Sequence, residues 1–254
     1  MRLRVLAAAG ILFAAQSHAG SLDSPEARTV VSRMIEAHGG MGTWKSAPTV
    51  SFDDTWDNGE TAHTTVEQGR RRVYIDYPTS GARLAWDGER AWSESWREKT
   101  PPRFLVLLSF YFANLPWLTQ DPGVVLATPG RGRIPGDPVE YVTIKMTFEA
   151  GTGDTPDDYY VLYIHPEVHR LHACEYIVTY QAILPPGPAA TAPHLLIYDK
   201  WTTIDGLTVP ARFTIYEGDK VYASCALENW SFQKPFDTTR MQMPKSATLD
   251  TSQP

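Results

Sequence analysis

Apolar and polar positions alternate with a period of two over most of the chain, and Gly, Asp or Pro marks nearly every interruption. In the second half the alternating segments are Tyr159 to His165, Leu171 to Tyr180, Leu195 to Thr203, Val209 to Glu217 and Val221 to Phe232. Pro166-Glu167, a Pro-rich loop from Pro185 to Pro193, Asp205-Gly206 and Gly218-Asp219 separate them. Such joins predict an antiparallel meander. The first half repeats the pattern in Val50 to Trp56, His63 to Gln68, Arg71 to Tyr77, Gly81 to Trp86 and Ala91 to Trp96. Val124 to Thr128 and Val139 to Glu149 read as a further hairpin around a Gly/Pro-rich loop.

Two segments break the period. In Pro25 to His38, Ala27, Val30, Val31, Met34 and Ile35 fall at the spacing of one buried helical stripe. Ser24 suits the N-cap and Gly39 the left-handed C-terminal cap, and Trp44 is expected to pack over the helix end. Phe104 to Leu118 is the most apolar stretch after the N-terminal residues and leaves no polar face. A helix apolar all round must be buried, and this one is shorter than the roughly 20 residues needed to span a bilayer. Between two meanders, it is placed to plug the inside of a curved sheet.

Neither face of the strands is plainly polar. In Leu171 to Tyr180 one face holds Cys174, Tyr176, Val178 and Tyr180, and the other Leu171, Ala173 and Ile177. In Val221 to Phe232 one carries Val221, Ala223, Cys225 and Leu227, and the other Tyr222, Ala226, Trp230 and Phe232. Either the sheet has a two-sided core, or one face lines a ligand cavity. Candidate cavity residues are Trp56, Trp86, Trp92 and Trp96 of the first meander, and Phe104, Leu108, Phe110, Phe112 and Trp117 of the insert. Tyr176 and Trp201 of the second meander complete the set.

Composition and charge set the compartment. Arg2 and Arg4, the apolar run Val5 to Ala15 and Ser17-His18-Ala19 predict a secretory signal peptide over 1–19, cleaved after Ala19, and hence a periplasmic or secreted protein. Loss of the two arginines takes the formal charge from −6 to −8, a balance that argues against nucleic acid as a partner. Residues 20–242 suit one domain, with 243–254 as a frayed tail. No later apolar run predicts a transmembrane segment. Cys174 and Cys225 would reach an oxidising compartment, where pairing is the default. In a simple meander, however, their strands are separated by two others, roughly 14 Å at about 4.8 Å per strand. A disulfide tolerates about 7 Å between Cα atoms. Two buried free thiols are therefore expected.

Candidate catalytic chemistry is thin. His38-Gly39-Gly40-Met41-Gly42 reads as a helix stop, because there is no G-x-S-x-G nucleophile elbow and Trp44 stands where a phosphate loop needs Gly. Arg70-Arg71-Arg72 reads as a strand-edge feature. His165, Glu167, His169 and His172, with His194 on a neighbouring strand, invite a zinc reading. The turn at Pro166 disperses them, so neither a metal nor another cofactor is expected.

The helix ending in Ala37-His38-Gly39-Gly40, the turn Ala85-Trp86-Asp87-Gly88, Tyr163-Ile164-His165-Pro166-Glu167 and Asp205-Gly206-Leu207-Thr208-Val209-Pro210 carry a resemblance. In their order the chain resembles the LolA-like family of periplasmic lipoprotein carriers over nearly its whole length. The resemblance implies a mainly β fold: a curved antiparallel sheet of about eleven strands, an open half-barrel, with an N-terminal helix and short helices filling the concave side. It implies a non-enzymatic protein binding a lipid or an acylated protein in a hydrophobic cavity, with an envelope delivery partner. The rival readings are a zinc-binding or hydrolytic site around His165, His169 and His172, and a structural or partner-binding envelope protein.

Overall fold

A computed structural model describes residues 23–252; the leader over 1–19 lies outside the described residues. Helices α1 (Pro25–Ala37) and α2 (Met41–Ser46) lead into β1 (Thr49–Trp56), β2 (Thr61–Glu67), β3 (Val73–Tyr77), β4 (Ala82–Trp86) and β5 (Ala91–Glu94). Helix α3 (Pro102–Leu118) follows, then β6 (Val124–Leu126), β7 (Gly130–Arg133) and β8 (Glu140–Phe148). The rest comprises β9 (Tyr160–Ile164), β10 (Leu171–Tyr176), β11 (His194–Ile204), β12 (Leu207–Glu217), β13 (Lys220–Ser231) and β14 (Thr248–Leu249).

The fourteen strands of the described residues form one open antiparallel sheet, in the order β14-β5-β4-β3-β2-β1-β13-β12-β11-β10-β9-β8-β6, with β7 beside β6 along β8. The two meanders join where β1 pairs with β13. The resemblance implies about eleven strands and the alternating pattern marks twelve; the two strands that neither foresees, β7 and β14, are fragments of four and two residues, too short to show a periodicity. One of them lies in the expected tail, which is docked rather than frayed: β14 pairs with β5. Behind it Phe236, Met241 and Ala247 cover Tyr74, Ala85 and Trp92 on the outer sheet face.

Two β-bulges redistribute the predicted faces. Asn229 adopts φ +52°, and the β1 register gains a residue between Ser231 and Glu228. Asn tolerates this left-handed conformation better than most residues. The inserted residue puts Cys225, Leu227, Trp230 and Phe232 in one core, although simple alternation divides them. A second irregularity between Leu171 and Ala173 turns Leu171 inward beside Cys174 and Tyr176. Ala173 stays outside, packed with Ile134 and Tyr141. Cys174 and Cys225 are buried free thiols, with β11 and β12 between their strands as the meander predicts.

Helix α3 touches β3, β4 and β5 of one meander and β12 of the other, so it occupies the hollow of the sheet. Its interior Pro116 cannot donate to the carbonyl of Phe112 one turn back. The hydroxyl of Tyr198 on β11 donates to that oxygen at 2.7 Å, replacing the missing helical bond with one to the sheet. Tyr198→Phe is expected to cost about 1–3 kcal/mol, since it orphans a buried carbonyl. Urea unfolding checks this; an unchanged midpoint would show that the carbonyl finds another donor.

The segment after α1 is latched to the second meander. His38 is fully buried: its Nδ1–H donates to Thr208 O at 2.8 Å, and Nε2 accepts the Leu171 amide at 3.2 Å. Its own carbonyl accepts from Thr208 N, and its ring meets the edges of Trp117 and Trp201. Gly39 sits at φ +102°, where a Cβ would come 2.1 Å from the Gly206 carbonyl oxygen. The resemblance motifs at 37–40 and 205–210 are thus two halves of one packing contact.

Candidate functional site

The half-exposed side of α3 repeats at helical spacing: Phe104, Leu107, Leu108 and Tyr111. The opposite side is buried, with Val106, Ala113 and Trp117 in the core. Along the half-exposed stripe runs a cleft of about 520 Å³, closed on its far side by Phe148, Tyr160, Tyr180 and the 152–158 loop. A cleft of this size falls within the roughly 300–1,000 Å³ that holds one drug-sized molecule.

Charged groups in the cleft wall are all engaged. Arg71 forms two bonds of 2.6 Å to the Asp121 carboxylate, and its guanidinium lies 5.8 Å from the Phe110 ring centre. Arg103 does the same with Asp154 at 2.6 Å and lies 5.1 Å over Trp86. These pairs fasten the two ends of α3 to its surroundings, Arg71–Asp121 beyond the C-terminus and Arg103–Asp154 at the N-terminus. Asp158 accepts from Thr155 Oγ1 and from both the amide and the hydroxyl of Thr179; burial pushes its carboxyl up. Tyr111 packs at a tilt against Tyr160, with ring centres 5.2 Å apart, but its buried hydroxyl has no hydrogen-bond partner.

Four of the eleven sequence candidates, Trp86, Phe104, Leu108 and Phe110, line this cleft. The others lie elsewhere. Phe112 is buried against Tyr176 and Phe213, and Trp117 stacks on Trp44. Trp201 packs on His38 and Tyr198, while Trp92 faces the outer side under the C-terminal segment. Trp96 meets Tyr77, and Trp56 meets Phe213 and donates to Asp54. Asp54 also accepts from Thr64 and from Ser109 of α3, and burial raises its pKa. Sequence reasoning missed Leu107, Tyr111, Tyr160, Asp158 and both ion pairs. The 104, 107, 108, 111 spacing was a usable signal for the first two; the ion pairs join residues about fifty apart and leave none.

Two histidines of the zinc reading, His165 and His172, have other work. His165 Nδ1 accepts the amides of Glu167 and Val168, and His172 stacks on Tyr141 near Asp137. Among the described residues no group of three or more His, Cys, Asp or Glu side chains is placed to hold a metal. Of the basic run, Arg71 and Arg72 are ion-paired, to Asp121 and Glu67. No helix among the described residues is long and apolar enough to cross a membrane.

No family model matches the chain, and no curated protein does. Solved structures do. A LolA superfamily protein from Nitrosomonas europaea superposes with a TM-score of 0.50 at 11% identity, covering 85% of this chain and 97% of its own. The fold is LolA-like. An outer membrane lipoprotein-sorting protein domain from Vibrio parahaemolyticus also matches, with a TM-score of 0.44 at 7% identity, over 84% of this chain and 97% of that one. A DUF1329 family protein from Desulfovibrio piger gives 0.47 at 10%, over 82% and 93%. In this LolA-like sheet α3 lies against both meanders, and the cleft runs beside it.

Proposed function

We propose that this protein is a periplasmic or secreted, non-enzymatic carrier or binding protein for a lipid or an acylated protein, whose apolar chain lies in the cleft beside α3. One observation carries the reading: an apolar helical stripe, Phe104-Leu107-Leu108-Tyr111, stays half-exposed along a cleft of about 520 Å³ in the hollow of the sheet. Leaving such surface to water is unfavourable by about 25 cal/mol per Å², and an acyl chain would cover it. The LolA-like fold supports the same reading. An envelope partner that delivers or receives the ligand is part of the proposal.

The test is lipid extraction and mass spectrometry of protein purified from its native compartment. Wild type is expected to carry an acyl lipid at a substantial fraction of one per chain. Leu108→Asp, which places an unpaired charge in the cleft wall, is expected to lose it by more than tenfold while remaining folded. Folded wild type that carries no lipid, and shows no saturable response to added acyl probes, would favour a structural role instead.

A further inference from the structure

Resting on that reading, we infer that the cleft selects an uncharged, single-chain amphiphile, whose oxygen-bearing head accepts a hydrogen bond from the Tyr111 hydroxyl. The cleft lining holds two arginines and three aspartates, and none is free. Each arginine makes two bonds to its own aspartate, so an anionic head would meet a cation whose charge is already balanced. A cationic head meets the same obstacle, because Asp121 and Asp154 are each already paired with an arginine. Asp158 is capped by Thr155 and Thr179, and burial favours its neutral form. A charged ligand would therefore lose its hydration without gaining a partner.

One polar group in the wall does lack a partner. Among the side chains lining the cleft, the Tyr111 hydroxyl is the one buried polar atom left without a hydrogen bond. Burial holds the phenol protonated, so it offers a donor and calls for an ester, ether or hydroxyl oxygen. The cleft volume suits one chain with a small head rather than a bulky multi-chain lipid.

The experiment compares three probes of equal chain length below their micellar concentrations at pH 8: monolaurin, laurate and dodecane. Saturable change in tryptophan emission reports occupancy, with Trp86 in the cleft wall. Monolaurin is expected to bind at least tenfold more tightly than laurate. Tyr111→Phe keeps the ring against Tyr160 and should weaken monolaurin about fivefold, the worth of one hydrogen bond, with dodecane unaffected. The same variant should melt no lower than wild type, since it removes an orphaned donor. Laurate binding as tightly as monolaurin, or monolaurin affinity unchanged in Tyr111→Phe, overturns the inference and leaves acyl binding standing. Failure of both monolaurin and dodecane to bind overturns the acyl reading, and this inference with it. The monolaurin–laurate comparison uses wild type alone, so it decides the charge selectivity even if the variant folds poorly.

Discussion

Replacing His38 with alanine is expected to destabilise the protein by about 3–5 kcal/mol, seen as a lowered midpoint of urea unfolding. The change orphans the Thr208 carbonyl and the Leu171 amide, each buried bond worth about 1–3 kcal/mol once one side is removed. It also opens a void between Trp117 and Trp201. Acid should do part of the same work. Burial holds the His38 imidazole down at about 4, against about 6.5 for an exposed histidine. As pH falls from about 6.5 to 4, the unfolded chain takes up a proton that the folded chain refuses, so stability drops through that window. The full difference corresponds to roughly 3 kcal/mol. Asp54, raised by burial, slopes the opposite way, so the wild-type profile minus that of His38→Ala isolates the histidine. A difference that stays flat between pH 6.5 and 4.5 would mean that His38 is not held neutral.

Phe112→Ala is expected to cost about 3–5 kcal/mol, whereas Leu108→Ala, four residues earlier on the same helix, should cost less than half of that. Phe112 is 1% exposed and meets Tyr176 on β10 and Phe213 on β12, so its removal leaves a cavity that neither strand can close. Leu108 is half-buried and borders a cleft that already exists, so truncation mainly enlarges the cleft. Monolaurin titration should invert the order: Leu108→Ala weakens binding, and whatever folded Phe112→Ala remains binds normally. Equal stability losses at the two positions would refute the division of α3 into a core side and a cleft side.

The difference between those neighbours shows what the sequence alone could convey. The apolar insert and the meanders around it were legible, because turn residues and period-two alternation are local signals. Which side of a strand faced inward was not. A face assignment counts residues in twos, so the single extra residue at Asn229 inverts everything beyond it. Trp count was equally blind to layer: Trp92 and Trp86 lie on neighbouring strands, yet one sits under the C-terminal segment and the other borders the cleft. The Arg71–Asp121 and Arg103–Asp154 pairs decide the charge of the site, and they exist only after the chain has closed on itself.

An open sheet of this width has two ends, and each is a potential template for a second copy. Backbone groups on an outermost strand invite pairing unless the strand is short, interrupted or charged. At one end β14 offers only two residues beyond β5. At the other, β6 and β7 divide the border of β8 into pieces of three and four residues, and β7 carries Arg131 and Arg133 on an otherwise glycine backbone. Neither border is long enough to seed a fibril-like stack. Strand β14 therefore acts as a guard: without Thr248 and Leu249 the longer, apolar-flanked border of Ala91–Glu94 would lie bare, and solubility would rest on β5 alone.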